Sequence, residues 1–176
     1  MGKRSTRENK NVYQLAREER GLTREEASEL MDGVSAARIE KIEYEAQEPL
    51  PYDVVQMAGA YKKPELCNHF CSKQCAIGNR YVPELKEAEL PEIILETIAS
   101  LNDISPYTGR LIQIARDGKI TDDEIRDFAF ISSKLDQVSL AVDALNLWVE
   151  KTAAKNGLNT ELLLKETGKL KAQKNI

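Results

Sequence analysis

Hydrophobic side chains recur in the first third of the chain at the three- and four-residue spacing of short amphipathic helices. This spacing predicts four helices between residues 11 and 63, with a loop around Pro49 and Pro51. Thr23 and Glu26 form a capping box, Ser35 marks a further N-cap, and Gly21 suits a helix terminator. The residues predicted to face the core are Val12, Leu15, Ala16, Ala27, Leu30, Met31, Ile39, Ile42, Val54, Met57, Ala58 and Tyr61.

A second helical region is predicted after a cysteine-containing linker at residues 64–89. Residues 90–104 are apolar at helical spacing, Pro106 interrupts the pattern, and residues 111–115 resume it. Asp117 and Gly118 are expected to form a turn, and Thr121 with Glu124 resembles another capping box. The pattern therefore predicts a break between two helical stretches.

The longest predicted helix covers residues 122–155 and carries a heptad seam, in which apolar residues alternate at three and four positions. Such a seam needs a partner helix at a shallow crossing angle. We expect the preceding stretch to fold back as an antiparallel, coiled-coil-like hairpin over residues 90–157, and a second copy of the chain could pack outside it. A tail follows at 158–176. The seam residues are Phe128, Ile131, Leu135, Val138, Val142, Leu145 and Val149.

Composition agrees with an all-α protein in the cytoplasm. The 176 residues are 41% hydrophobic, 31% charged and only 6% aromatic, with few Gly and Pro. No apolar run approaches the roughly 20 residues that cross a bilayer, and no signal peptide is recognisable, so we expect no membrane partner. The three cysteines are then expected as reduced thiols.

Residues 12–61 resemble the lambda-repressor-like helix-turn-helix domain of the XRE family of bacterial transcriptional regulators. They also resemble a subgroup that adds a cysteine segment and a helical C-terminal region. The matching segments are 15–23, 25–26, 29–31, 33–35, 42–43 and 57–58, with Ile39, Pro49 and Val54. The resemblance covers under a third of the chain.

The resemblance implies a function in sequence-specific binding of double-stranded DNA. The third helix would enter the major groove, and the start of the second helix would hold a phosphate. Thr23 and Arg24 would contact phosphate, and Ser35, which caps the reading helix, would also belong to the DNA-binding residues. The residues that would face base edges are Ala36, Ala37, Arg38, Glu40 and Lys41. We expect a homodimer that presents two such helices, and a flexible basic arm at residues 1–10 (Lys3, Arg4, Arg7 and Lys10) that reaches flanking phosphates.

The charge pattern supplies an alternative. The net charge is −4, and residues 34–53 hold two basic residues, Arg38 and Lys41, against five acidic ones. Acidic groups repel the DNA backbone rather than releasing its counterions. The chain could therefore be a protein-interaction module that kept a helix-turn-helix scaffold and lost DNA binding.

Cys67, Cys71 and Cys75 recur every four residues, with His69 between the first two. Three thiolates and one imidazole could bind a structural zinc ion. On one continuous helix the outer thiols would lie about 12 Å apart along the axis, so a metal site requires a coiled loop. We favour the interpretation that the thiols pack as small apolar groups and that no cofactor is held. A redox-sensing thiol is a third possibility.

No phosphate-binding loop, dinucleotide motif or serine nucleophile motif is present. The single histidine lies in the cysteine segment, where no orienting acid is evident. We therefore expect a binding protein and not an enzyme.

Overall fold

In the computed structural model, which describes residues 9–116 and 118–174, all regular secondary structure is helical. The prediction of an all-α chain is confirmed. The chain divides into two compact units. Unit 1 comprises the described residues up to Glu84 together with those from Val149 onward, and unit 2 comprises Leu85–Trp148.

Unit 1 begins with four short helices, α1 (Val12–Glu19), α2 (Arg24–Glu29), α3 (Ala36–Glu43) and α4 (Pro51–Tyr61). Their inward side chains form one apolar core, because each helix is too short to be stable without tertiary packing. The most deeply buried members are Tyr13, Ala27, Ile39, Ile42, Val54, Met57 and Tyr61.

The caps follow the sequence signals. The Thr23 hydroxyl accepts the Glu26 N–H at 3.1 Å, and the Glu26 carboxylate accepts the Thr23 N–H at 2.7 Å, so the predicted capping box is confirmed. The Ser35 hydroxyl accepts the Arg38 N–H at 3.2 Å. Gly21 adopts a φ of 73°, the left-handed conformation that ends a helix most readily at glycine.

Two predicted core positions are wrong. Leu15 is 51% exposed and Leu30 is 58% exposed. Helix α1 instead turns Tyr13, Ala16 and Arg17 inward, because Arg17 forms a buried ion pair. Leu30 lies beyond the last residue of α2 as its C-cap and so leaves the helical face. Helix α4 starts at Pro51, earlier than the predicted loop allowed, because proline fits the first turn of a helix.

The cysteine segment is helical, where a linker was predicted. Helix α5 (Glu65–Lys73) and helix α6 (Gly78–Tyr81) follow α4 almost directly. Leu66 and Phe70 lie one turn apart on α5 and join the core of the first four helices. Their i, i+4 spacing is the helical signal that the prediction of a linker overlooked. A stretch without regular secondary structure, residues 82–89, then connects α6 to the next helix.

Unit 2 contains α7 (Leu90–Ile104), a 3₁₀ turn at Ser105–Tyr107, α8 (Thr108–Ala115) and most of α9 (Ile125–Ala154). The predicted interruption at Pro106 is confirmed by the 3₁₀ turn. Gly118 has a φ of 71°, as its predicted turn requires, whereas Asp117 lies outside the described residues. The Glu124 carboxylate accepts the Thr121 N–H, but α9 starts only at Ile125, three residues later than predicted.

Three contacts give the course of α9 within unit 2. Lys134 forms an ion pair with Asp103, the ring of Phe130 lies 4.7 Å from that of Tyr107, and Arg110 forms an ion pair with Asp127 at 2.7 Å. Along these three contacts the residue numbers on α9 decrease while those on the earlier segment increase. The start of α9 therefore runs antiparallel to the segment from Asp103 to Arg110.

The predicted seam of α9 is only partly inward. Ile131 is buried, but Phe128, Leu135 and Val142 are 36%, 48% and 46% exposed. The neighbouring helices therefore cover only part of the apolar seam of α9. Over the described residues, no helix is both long enough and apolar enough to cross a membrane.

In unit 1, the end of α9 contacts α5 through Lys151 and Glu65, whose nearest charged atoms lie 3.8 Å apart. Helix α10 (Thr160–Lys174) completes the described chain.

Candidate nucleic-acid interface

Helix α3 has a sharp division between an inner and an outer side. Ile39 and Ile42 are at most 1% exposed, whereas Ala37, Glu40 and Lys41 face solvent. Ala36 and Arg38 are half-buried at the edge of the outer side. The outer side of α3 is therefore available to a ligand while the inner side holds the fold together.

A buried ion-pair network fixes α3 to α1 and α2. The Glu43 carboxylate is fully buried and accepts two hydrogen bonds from the Arg17 guanidinium, at 2.5 and 2.9 Å. It accepts a third from the Arg24 Nε at 2.8 Å. Burial alone would lower the pKa of Arg17, but the bonds and charge of Glu43 outweigh it and raise the pKa. Removing one member would leave an uncompensated buried charge, so the network holds α3 firmly.

Two predicted DNA-contacting cations already have acidic partners. Arg24 also donates to Glu40 at 2.9 Å, and its guanidinium stacks 4.9 Å from the ring centre of Tyr44. Arg38 donates to the Asp53 carboxylate at 2.7 Å and to the Glu48 carbonyl at 2.8 Å. Docking to a phosphate would require each arginine to share or exchange these partners.

The predicted phosphate site at the start of α2 is occupied by the helix's own side chain. The Thr23 amide donates to Glu26, whose pKa is lowered by this backbone hydrogen bond. Thr23 and Ser35 both use their hydroxyl groups as caps. Thr23 and Ser35 therefore cap helices in this structure. The Thr23 amide, which was predicted to bind phosphate, already donates its hydrogen bond to the Glu26 carboxylate.

The base of the N-terminal arm lies beside the end of α3. Asn11 caps α1 by accepting the Gln14 N–H, and its side-chain amide donates to the Ile42 carbonyl at 2.8 Å. Lys10 forms an ion pair with Glu18 at 2.6 Å. Lys3, Arg4 and Arg7 lie outside the described residues. The prediction from the sequence had not foreseen the role of Asn11, although asparagine before a helix is a recognised N-cap signal.

An acidic surface follows α3 directly. Glu45, Gln47 and Glu48 are exposed, and Glu45 adopts the left-handed φ of 57° where the chain leaves the helix. With Glu43 neutralised internally, these glutamates and Glu40 are the anions nearest Lys41 in sequence. The outer side of α3 thus carries charges of both signs.

The cysteine segment does not fit a zinc ion. Cys67 and Cys71 lie one turn apart on α5, and Cys75 follows its end. All three are free, half-buried thiols that pack against the core of the first four helices. The ring of His69 instead meets the ring of Tyr13 edge-on, with centroids 6.5 Å apart. Within the described ranges, no group of three or more His, Cys, Asp or Glu side chains is arranged to hold a metal.

Burial disfavours ionisation of one thiol in this segment. It raises the pKa of the Cys67 thiol, and nearby Cys71 and Glu150 add to the effect. A redox-sensing thiol instead needs a lowered pKa. The Cys75 sulfur accepts the Gly78 N–H at 3.4 Å, so this thiol takes part in the turn between α5 and α6. The arrangement fits the interpretation of packed thiols.

The chain matches no family model, no curated protein and no solved structure. The resemblance to helix-turn-helix regulators therefore depends on the sequence features described above.

Proposed function

We propose that this chain is a DNA-binding transcriptional regulator of the XRE type, in which α2 and α3 act as a lambda-repressor-like helix-turn-helix and α3 enters the major groove. The observation that carries the proposal is the exposed outer side of α3 on a platform fixed by Arg17, Glu43 and Arg24. A reading helix needs both properties, because a mobile helix would lose binding energy to ordering.

Lys41 is the side chain best placed for a first contact. It is exposed near the end of α3, and it would neutralise a phosphate without breaking a bond that supports the fold. Ala36 and Ala37 would touch thymine methyl groups, since alanine has no group for a hydrogen bond to a base edge. Arg24 would bind phosphate by exchanging its exposed partner Glu40, whereas Arg38 would share its guanidinium between the phosphate and the buried Asp53 carboxylate.

The N-terminal arm would add phosphate or minor-groove contacts. Its base is tied to the carbonyl of Ile42, so the arm would start beside the end of the reading helix. The arm's basic residues then supply positive charge that α3 itself lacks. A homodimer with a shared two-fold axis would place two reading helices about one DNA turn apart.

The test is a gel shift of the full chain against genomic fragments at low salt. We expect a shift that weakens as salt rises, because phosphate contacts release counterions. Lys41→Ala should lower affinity and reduce the slope of log affinity against log salt by about 1. Lys155→Ala, at an exposed lysine just after α9, is the matched control and should change neither the affinity nor the salt slope. The absence of a shift with any duplex would contradict the proposal.

A protein-interaction module is the second candidate, and the pairing of Arg24 with Glu40 and Arg38 with Asp53 favours it. In that case the outer side of α3 would bind a protein surface with charges of both signs. The double variant Glu45→Gln/Glu48→Gln distinguishes the two candidates. Removing these charges should strengthen the gel shift of a DNA-binding protein, whereas an interaction module should show no shift before or after the change.

A further inference from the structure

Unit 2 leaves large apolar side chains exposed on two of its helices. On α7, Ile94, Ile98 and Leu101 are 40%, 50% and 51% exposed. On α9, Phe128, Leu135 and Val142 form a row with a spacing of seven residues and are about equally exposed. Apolar surface that recurs in rows on a helix marks an interaction site more often than isolated exposed residues do.

The two rows lie on one side of unit 2. On α7 the exposed row follows the inward positions Ile93, Thr97 and Ser100 by one residue, which is a rotation of about 100° around the helix. On α9 the exposed row is rotated in the same sense, by about 20–60°, from buried Ile131. Asp103 near the end of α7 pairs with Lys134 of α9, and α9 runs antiparallel to the segment from Asp103 to Arg110, so equal senses of rotation bring both rows to the same side.

We propose that this apolar face, formed by the α7 row and the α9 row, binds the same face of a second copy of the chain. The seven-residue spacing on α9 suits packing against another helix at a shallow angle. Six side chains of this size, each 36–51% exposed, offer on the order of 500 Å² of apolar surface. This approaches the roughly 800 Å² that each partner of a standard dimer buries, and a polar rim supplies the remainder.

Charge is compatible with self-pairing. Lys134 and Asp127 on α9 are already paired with Asp103 and Arg110 of the same chain. Glu92 and Glu96 lie on the side of α7 opposite its exposed row, at about 100° per residue. These charges therefore do not oppose pairing through this face, and Asp136 and Asp143, about 80–100° around α9 from its exposed row, would lie at the rim.

This inference specifies the homodimer contained in the proposed function, but it does not require DNA binding. If no duplex binds and the chain is a dimer through this face, the regulator assignment fails and the interface remains. If DNA binds and the chain is a monomer, the interface fails and the regulator assignment remains.

Sedimentation velocity of the full chain, from about 1 to 100 µM, tests the interface. We expect a monomer–dimer equilibrium for the natural sequence. Ile98→Ser/Leu101→Ser on α7, and separately Leu135→Ser/Val142→Ser on α9, should each raise the dimer dissociation constant at least about tenfold. All four positions are exposed, so the helical circular dichroism signal should be retained.

Val55→Ser on α4 and Leu164→Ser on α10 are matched controls, since both side chains are more than half exposed and lie outside unit 2. They should associate like the natural sequence. A monomer at about 100 µM would overturn the proposal, as would unchanged association of both double variants. Loss of association in the controls but not in the unit 2 variants would place the contact elsewhere and would overturn it too.

Discussion

Glu43 is the residue on which the geometry of α3 depends most. Its carboxylate has no exposure to solvent and accepts three hydrogen bonds from two arginines on other helices. A buried carboxylate is stable only when its hydrogen-bonding capacity is used and its charge is balanced. Glu43 therefore converts three short helices into one rigid support.

Glu43→Ala should lower the free energy of unfolding by about 3–5 kcal/mol, because it leaves the Arg17 guanidinium buried without its partner. Urea denaturation measures the loss. Arg17→Met/Glu43→Leu should be less destabilising than Glu43→Ala alone, since it removes both charges. Glu48→Ala, on the exposed loop, should change stability by no more than about 0.5 kcal/mol. A loss below about 1 kcal/mol for Glu43→Ala would contradict the role given to this residue.

This network also shows what the sequence could not reveal about individual residues. Apolar spacing selected Leu15 for the core, yet Arg17 is the buried residue of α1 and Leu15 is exposed. An arginine becomes a core residue only through a partner, and Glu43 is 26 positions away in the chain. No local pattern connects the two.

Helix ends were more predictable than helix faces. The box at Thr23 and Glu26, the cap at Ser35, the end at Gly21 and the bounds of α7 all follow local chemistry within a few residues. Helices α5 and α6 were missed, although the inward residues of α5 join the core of the first four helices. The spacing of the cysteines directed attention to metal binding, whereas Leu66 and Phe70 carried the relevant helical signal.

The turn between α5 and α6 depends on a glycine. A Cβ at Gly78 would overlap the Cys71 carbonyl oxygen and the backbone next to it. Gly78→Ala should therefore destabilise the protein by about 1–3 kcal/mol, as overpacking does in a core. Gly59→Ala in α4 is the matched control, because a Cβ there meets no atom within 4 Å. It should stabilise the helix by about 0.5–1 kcal/mol in the same urea titration.

The capping box of α2 gives a pH dependence. The pKa of Glu26 is lowered by its hydrogen bonds from Thr23, so the stabilisation is complete above about pH 4.5 and disappears as pH falls through the lower pKa of the folded state. Thermal unfolding of the natural sequence and of Glu26→Gln should differ at pH 7, and the difference should shrink as pH falls below about 4.5. Glu25→Gln changes the same charge in the same turn and should show a smaller pH-dependent difference. If the difference in thermal stability between the natural sequence and Glu26→Gln were the same at pH 3 as at pH 7, the capping hydrogen bonds of Glu26 could not be its cause.

At the scale of the whole molecule, the two units use their apolar residues differently. Unit 1 buries a single cluster drawn from five helices, whereas unit 2 leaves rows on α7 and α9 exposed. The sequence revealed the heptad seam but not how much of it would be covered. Coverage depends on where the neighbouring helices pack against α9, which the seam itself does not specify.

Pairing of two copies would link stability to concentration. We expect the melting temperature to rise as the total concentration of the natural chain is raised from about 1 to 100 µM, because association occurs only in the folded state. Ile98→Ser/Leu101→Ser should remove this dependence, and Val55→Ser should retain it. A melting temperature independent of concentration for the natural chain would exclude unit 2 pairing coupled to folding.

The separation of the two sides of α3 has a consequence for engineering. Positions 37 and 41 face outward and contribute little to the core, whereas Ile39, Ile42 and Glu43 are enclosed. A combinatorial library randomised at the two outward positions should yield mostly well-folded members. New target preferences could then be selected from it without first redesigning the scaffold.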